Sequence, residues 1–132
     1  MFSHVTIGSN DLGKAKGFYE SLLKPLGLVR HADYPNAAGY GPAGGRPQLW
    51  VLTPVDKKAA TVGNGITVGL EAANRAAVDT AYKAGLAAGG KDEGAPGIRA
   101  HYHPNYYGAY LRDPDGNKIC IVCHKPARDP NE

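Results

Sequence analysis

The chain lacks most of what would take it outside an ordinary globular fold. Only two of its 132 residues are cysteine, too few for a disulfide framework to replace a packed core. No apolar stretch approaches the roughly 18 residues that read as a membrane span, and no apolar run of signal-peptide length opens the chain. The expectation is a cytoplasmic protein with no membrane partner. Lys and Arg number 15 against 12 Asp and Glu, for a net charge of +3, and they are scattered without a basic run or arm. That spacing argues against a nucleic-acid partner, which would need clustered cations to displace counterions. The glycine-rich stretch GYGPAGGRP lacks both G-x-x-x-x-G-K-[ST] and G-x-G-x-x-G, which argues against a phosphate-cradling loop as well.

What is present is punctuation. The 18 Gly and 10 Pro are spread between periodic segments and form no low-complexity block, which predicts short strands joined by many turns. The length suits one domain over 1–132 with a sizeable apolar interior.

An internal repeat at an offset of 63 residues organises the chain. The strand-like SHVTIGS (3–9) lies over ITVGLEA (66–72), and Asp11 lies over Asn74, each a capping residue before a helical pattern. In the first helix Ala15, Phe18, Tyr19, Leu22, Leu23 and Leu26 recur at helical spacing. Adding 63 gives Val78, Ala81, Tyr82, Gly85, Leu86 and Gly89. Glycines follow each helix, and then three strands: 27–35, 37–43 and 47–54 in the first half, and 97–104, 108–113 and 117–124 in the second. The modules span 1–56 and 64–126, with Val55 to Gly65 as the linker. DPDGN (113–117) reads as a hairpin turn, with Pro114 setting the first dihedral, Gly116 at positive φ, and Asp113 and Asp115 accepting backbone N–H groups.

The closing stretch DPDGNKICIVCH contains C-x-x-C-H, the spacing of covalent haem attachment. Its context is a hairpin leading into a strand with alternating Ile119 and Ile121, which argues against haem. A disulfide is disfavoured too, because Cys120 and Cys123 stand roughly 10 Å apart at about 3.3 Å per residue and point to opposite faces.

Two βαβββ modules, an opening strand carrying His4, a helix with Phe18-Tyr19 and the closing DPDGNKICIV resemble the vicinal oxygen chelate superfamily. That group includes glyoxalase I, bleomycin- and fosfomycin-resistance proteins and extradiol dioxygenases. The resemblance implies an α+β fold: an eight-stranded incomplete barrel of two modules, helices outside and a concave site within. It also implies a homodimer and a divalent metal held by the first and last strands of each module.

Carried over residue by residue, the implied ligands are His4, Gln48, Thr67 and Cys120. Strand alternation agrees that His4 and Thr6, Thr67, and Cys120 and Val122 face away from the helices. Only His4 and Cys120 are strong donors, since Thr67 stands where relatives have His and Cys120 where they have Glu. The usual nickel or zinc site is therefore in doubt and the cofactor stays open.

The remaining candidates surround the expected cavity. His101 and His103, two apart in a segment read as a strand, would share a face. They could act as general bases, or with His4 build a displaced metal site. Tyr107 and Trp50 combine apolar area with one polar atom and suit a ligand wall. Tyr40 and Arg46 are candidates for a mobile lip. The expected ligand is a small polar molecule, touched by His4, Gln48, Trp50, His101, His103, Tyr107 and Cys120. Two readings stay open: a glyoxalase-like lyase or isomerase with a noncanonical or absent metal, and a non-catalytic protein that sequesters its ligand as drug-resistance proteins do.

Overall fold

The computed structural model describes residues 1–127; the last five residues of the expected 1–132 domain, 128–132, lie outside the described residues. Capping starts both helices where the repeat places them. Asp11 accepts a hydrogen bond from the Lys14 backbone N–H and opens α1 (Leu12–Leu23), while Asn74 accepts one from Ala77 and opens α2 (Arg75–Ala87). A 3-10 turn over Lys24–Leu26 closes the first helix and leads to Gly27 at φ 74°, a left-handed position suited to glycine.

Eight strands form two four-stranded mixed sheets. β1 (Val5–Gly8), β2 (Leu28–Tyr34), β3 (Ala37–Pro42) and β4 (Leu49–Leu52) are ordered β1-β4-β3-β2. β5 (Val68–Glu71), β6 (Lys91–Ile98), β7 (Tyr107–Arg112) and β8 (Lys118–Cys123) repeat that order as β5-β8-β7-β6. In each sheet the opening strand runs parallel to the closing one, β1 beside β4 and β5 beside β8, and the other pairs are antiparallel. This is the expected α+β architecture of two βαβββ units, with sheets that do not close into a barrel.

The helices pack on one another and on the sheets by complementary shape. Phe18 and Leu22 of α1 are fully buried; at the equivalent positions α2 carries Ala81 and Gly85. A Cβ on Gly85 would lie 3.0 Å from Leu22 Cδ1 and 3.4 Å from Phe18 Cε2, so the missing side chain is what admits the larger ones. The duplicated faces have thus become large on one helix and small on the other. One core results, joining Phe18, Leu22 and Leu23 to Val51, Val78, Leu111, Ile119 and Ile121.

One strand departs from the expected layout. The expected strand 97–104 meets the observed one only at Gly97 and Ile98; β6 lies earlier, and residues 100–106 form turns. Its sequence, KDEGAPGI, has no apolar alternation and contains Pro96 and two glycines, which suits a bulged edge strand. Its pairing with β7 is broken by register shifts at Asp92/Gly94 and Gly94/Gly97. Arg99 props this irregular edge by donating to the carbonyls of Ala95, Gly97 and Gly108 at 3.0, 2.9 and 2.7 Å. No helix of the described residues is long and apolar enough to cross a membrane.

Candidate functional site

Strand alternation decides what faces away from the helices. In β8, Ile119 and Ile121 are fully buried in the core, while Cys120 and Val122 turn to the opposite face. Register then adds neighbours: Gly69 and Tyr110 lie directly beside Cys120, and Gly108 beside Val122. The face so built is the floor of an open cavity of about 640 Å³, within the ordinary range for small-molecule sites.

The cavity has an aromatic wall joined to the thiol. The Tyr106 hydroxyl lies 2.8 Å from that of Tyr110 and 3.4 Å from Cys120 Sγ. Burial first, then the Cys120 contact at Tyr106 and the Tyr106 contact at Tyr110, raises the pKa of both hydroxyls, so each remains a neutral donor and acceptor at ordinary pH. Tyr102 extends the wall outward, its ring centroid 4.8 Å from that of Tyr106.

At one end two imidazoles meet. His103 Nε2 lies 2.9 Å from His124 Nδ1, and the rings are stacked. The Asn105 backbone N–H donates to His103 Nδ1 at 3.1 Å. That bond makes Nδ1 an acceptor, so in the neutral pair the proton sits on His103 Nε2 and is donated to His124.

Of the expected site residues, this cavity gathers His103 and Cys120, together with the Thr67 aligned by resemblance. His101 does not join His103. The turn replaces the strand that would have put them on one face, and His101 is exposed against Tyr102, with centroids 4.2 Å apart. Tyr107 faces the helix side, where its hydroxyl donates to Asp79 at 2.6 Å and Arg75 covers its ring. Burial, reinforced by Asp79, pushes this hydroxyl up to about 12.

His4, Gln48 and Trp50 share the open face of the other sheet. His4 and Gln48 are exposed there, and the half-buried Trp50 covers Gly39. Tyr40 is not a lip residue: it is buried in the core with its hydroxyl toward Glu20, 3.4 Å away. Arg46 is exposed in the loop after β3.

Gly69, Glu71, Tyr102, Lys118 and His124 also line the cavity and were not singled out from the sequence. His124 could have been found by continuing the alternation of Lys118, Cys120 and Val122 by one step. Of the sequence cluster Tyr106, Tyr107 and Tyr110, which suits a ligand pocket or a dimer interface, Tyr106 and Tyr110 line the cavity and Tyr107 does not.

Comparison with known proteins places this geometry. The model of the Glyoxalase/Bleomycin resistance protein/Dioxygenase superfamily matches residues 1–121. The chain belongs to this superfamily. It is similar to the crystal structure of a glyoxalase/bleomycin resistance protein from Albidiferax ferrireducens T118, with 41% identity and a TM-score of 0.83 over 96% of this chain and 99% of that one. It shares its fold with a glyoxalase-related enzyme from Fulvimarina pelagi, at 19% identity and TM-score 0.72 over 93% of this chain and 87% of that one. It likewise shares it with a lactoylglutathione lyase from Agrobacterium tumefaciens, at 23% identity and TM-score 0.63 over 93% and 92%. No curated protein matches the chain.

The donor set is weak at the four positions that the resemblance implies as ligands. Thr67 offers a neutral hydroxyl, and Cys120 has its sulfur in contact with a tyrosine hydroxyl. His4 and Gln48 are exposed on the other sheet. Among the described residues no three His, Cys, Asp or Glu side chains come together as ligands, which also leaves no displaced site around His101 and His103. These residues do not fit the divalent metal of the glyoxalase-type site.

Proposed function

We propose that the protein binds a small polar molecule on the open face of its second sheet without a resident metal, as a ligand-sequestering member of the superfamily. The observation that carries this reading is the continuous contact from Cys120 Sγ through the Tyr106 hydroxyl to Tyr110. It puts an aromatic surface with fixed neutral hydroxyls where a metal-bearing relative would need a charged ligand. Tyrosine surfaces bury large area at low entropic cost and orient polar groups at their tips.

The unit of function in this reading is a cytoplasmic homodimer. The open face of the first sheet carries solvent-exposed residues, including His4, Thr6 and Gln48. A second copy would cover them.

The test is metal content and ligand binding on protein purified without chelator. Substoichiometric metal, and a thermal shift with small aromatic ligands that survives EDTA, is the expected result. Stoichiometric metal that is lost in His4→Ala overturns it. A monomer at micromolar concentration in sizing chromatography overturns the dimer.

A lyase or isomerase is favoured by one observation, the His103–His124 contact at the cavity's end. A neutral imidazole that donates to a second one can pass a proton to and from a ligand. Turnover of a bound molecule that disappears in His103→Gln decides for catalysis.

A further inference from the structure

The cavity has a cation at one end and an anion at the other. Lys118 begins β8, its Nζ 5.4 Å from the centroid of the Tyr110 ring, and it forms no ion pair among the described residues. Arg99 lies against the same ring at 5.5 Å, but its guanidinium is occupied by three backbone carbonyls. Lys118 is therefore the cation with capacity for a ligand. Glu71 ends β5, is exposed within the cavity, and also has no ion-pair partner among the described residues.

Register fixes their separation. β5 and β8 are parallel with Gly69 beside Cys120 and Glu71 beside Val122. Lys118 and Glu71 thus stand four residues apart along the sheet, roughly 13 Å at about 3.3 Å per residue. Between them lie Tyr110, Tyr106 and Cys120. Two unlike charges on an open face would gain by pairing with one another, yet at this separation they cannot, and each is left to an outside partner.

We infer that the cavity selects a dipolar aromatic ligand, with a carboxylate at the Lys118 end, a ring on the Tyr106 and Tyr110 wall, and a protonated amine at the Glu71 end. The inference rests on the reading of this cavity as a ligand site and adds the chemistry of its occupant. Charge placement supplies the selectivity, because a ligand of either net charge leaves one end unmatched.

The probe is the tripeptide Gly-Tyr-Gly, whose termini stand roughly 10 Å apart when extended. It is compared by calorimetry with its N-acetyl, C-amide and doubly capped forms. The free tripeptide is expected to bind about tenfold more tightly than either singly capped form. In Lys118→Met the distinction between free and amidated carboxyl disappears, and in Glu71→Gln that between free and acetylated amine. Equal affinity for all four forms overturns the dipolar inference and leaves ligand binding standing. Absence of binding by every form and by neutral phenol overturns both. If Lys118→Met or Glu71→Gln changes the elution volume in sizing chromatography and leaves the affinities unchanged, the charges serve subunit contact and the inference fails.

Discussion

The Tyr19 hydroxyl donates to Asp113 Oδ2 at 2.6 Å, joining α1 of the first module to the turn before β8 of the second, 94 residues away, in the dry interior. Asp113 uses its other capacity locally, accepting from the Asp115 and Asn117 backbone N–H groups and from Asn117 Nδ2, each at 2.9 Å. Asn117 Nδ2 also donates to the Gly8 carbonyl at 3.0 Å, and the Asn10 backbone N–H donates to Asp115 Oδ1 at 2.7 Å. The DPDGN turn is therefore both a hairpin and the polar junction of the two modules.

Tyr19→Phe removes the one long-range donor and leaves a buried carboxylate oxygen with Asn117 alone. The cost of such a loss is about 1–3 kcal/mol. The expected result is a melting temperature lower by several degrees with no change in ligand affinity. Thermal unfolding followed by circular dichroism checks it; an unchanged midpoint would mean that the junction does not hold the modules.

The same buried hydroxyl predicts how stability depends on alkaline pH. Burial, then the Asp113 charge and hydrogen bond, raises the Tyr19 pKa well above its ordinary value near 10, and burial likewise raises Tyr40. A raised phenol favours the neutral form in the folded state. Its contribution is complete below pH of about 10 and is lost as pH rises from there toward the folded value, because the unfolded chain releases its proton first. Denaturant midpoints should hold steady from pH 8 to 9.5 and fall steeply above about 10, less steeply in Tyr19→Phe. Identical slopes in the two proteins would refute the assignment.

How far the sequence disclosed this molecule depends on the range of each signal. Local patterns were legible: Asp11 and Asn74 cap the helices, Gly116 takes positive φ in the turn, and alternation puts Cys120 and Val122 on the cavity face. β6 was not legible, since an edge strand held by Arg99 needs no apolar alternation. The error carried into the site: with 100–106 in turns, His101 parts from His103 and leaves the cavity. Contacts between distant segments, such as Tyr19 with Asp113 or His103 with His124, leave no periodic trace at all.

Gly69 offers the cleanest separation of site from fold. It lies in the middle of β5 beside Cys120, it lines the cavity, and nothing stands within 4 Å of where its Cβ would be. Glycine inside a strand is unfavourable by roughly 0.5–1 kcal/mol relative to alanine, so a larger residue here should leave stability equal or improved. Gly69→Leu projects its side chain into the space in front of Cys120 and Tyr110. The expected outcome is a melting temperature no lower than that of the parent, with affinity for Gly-Tyr-Gly reduced at least about tenfold in calorimetry. Lower stability would show that this face is packed in solution, as by a second copy. Intact binding in a stable variant would place the ligand elsewhere, with the open face around His4, Gln48 and Trp50 the next surface to block.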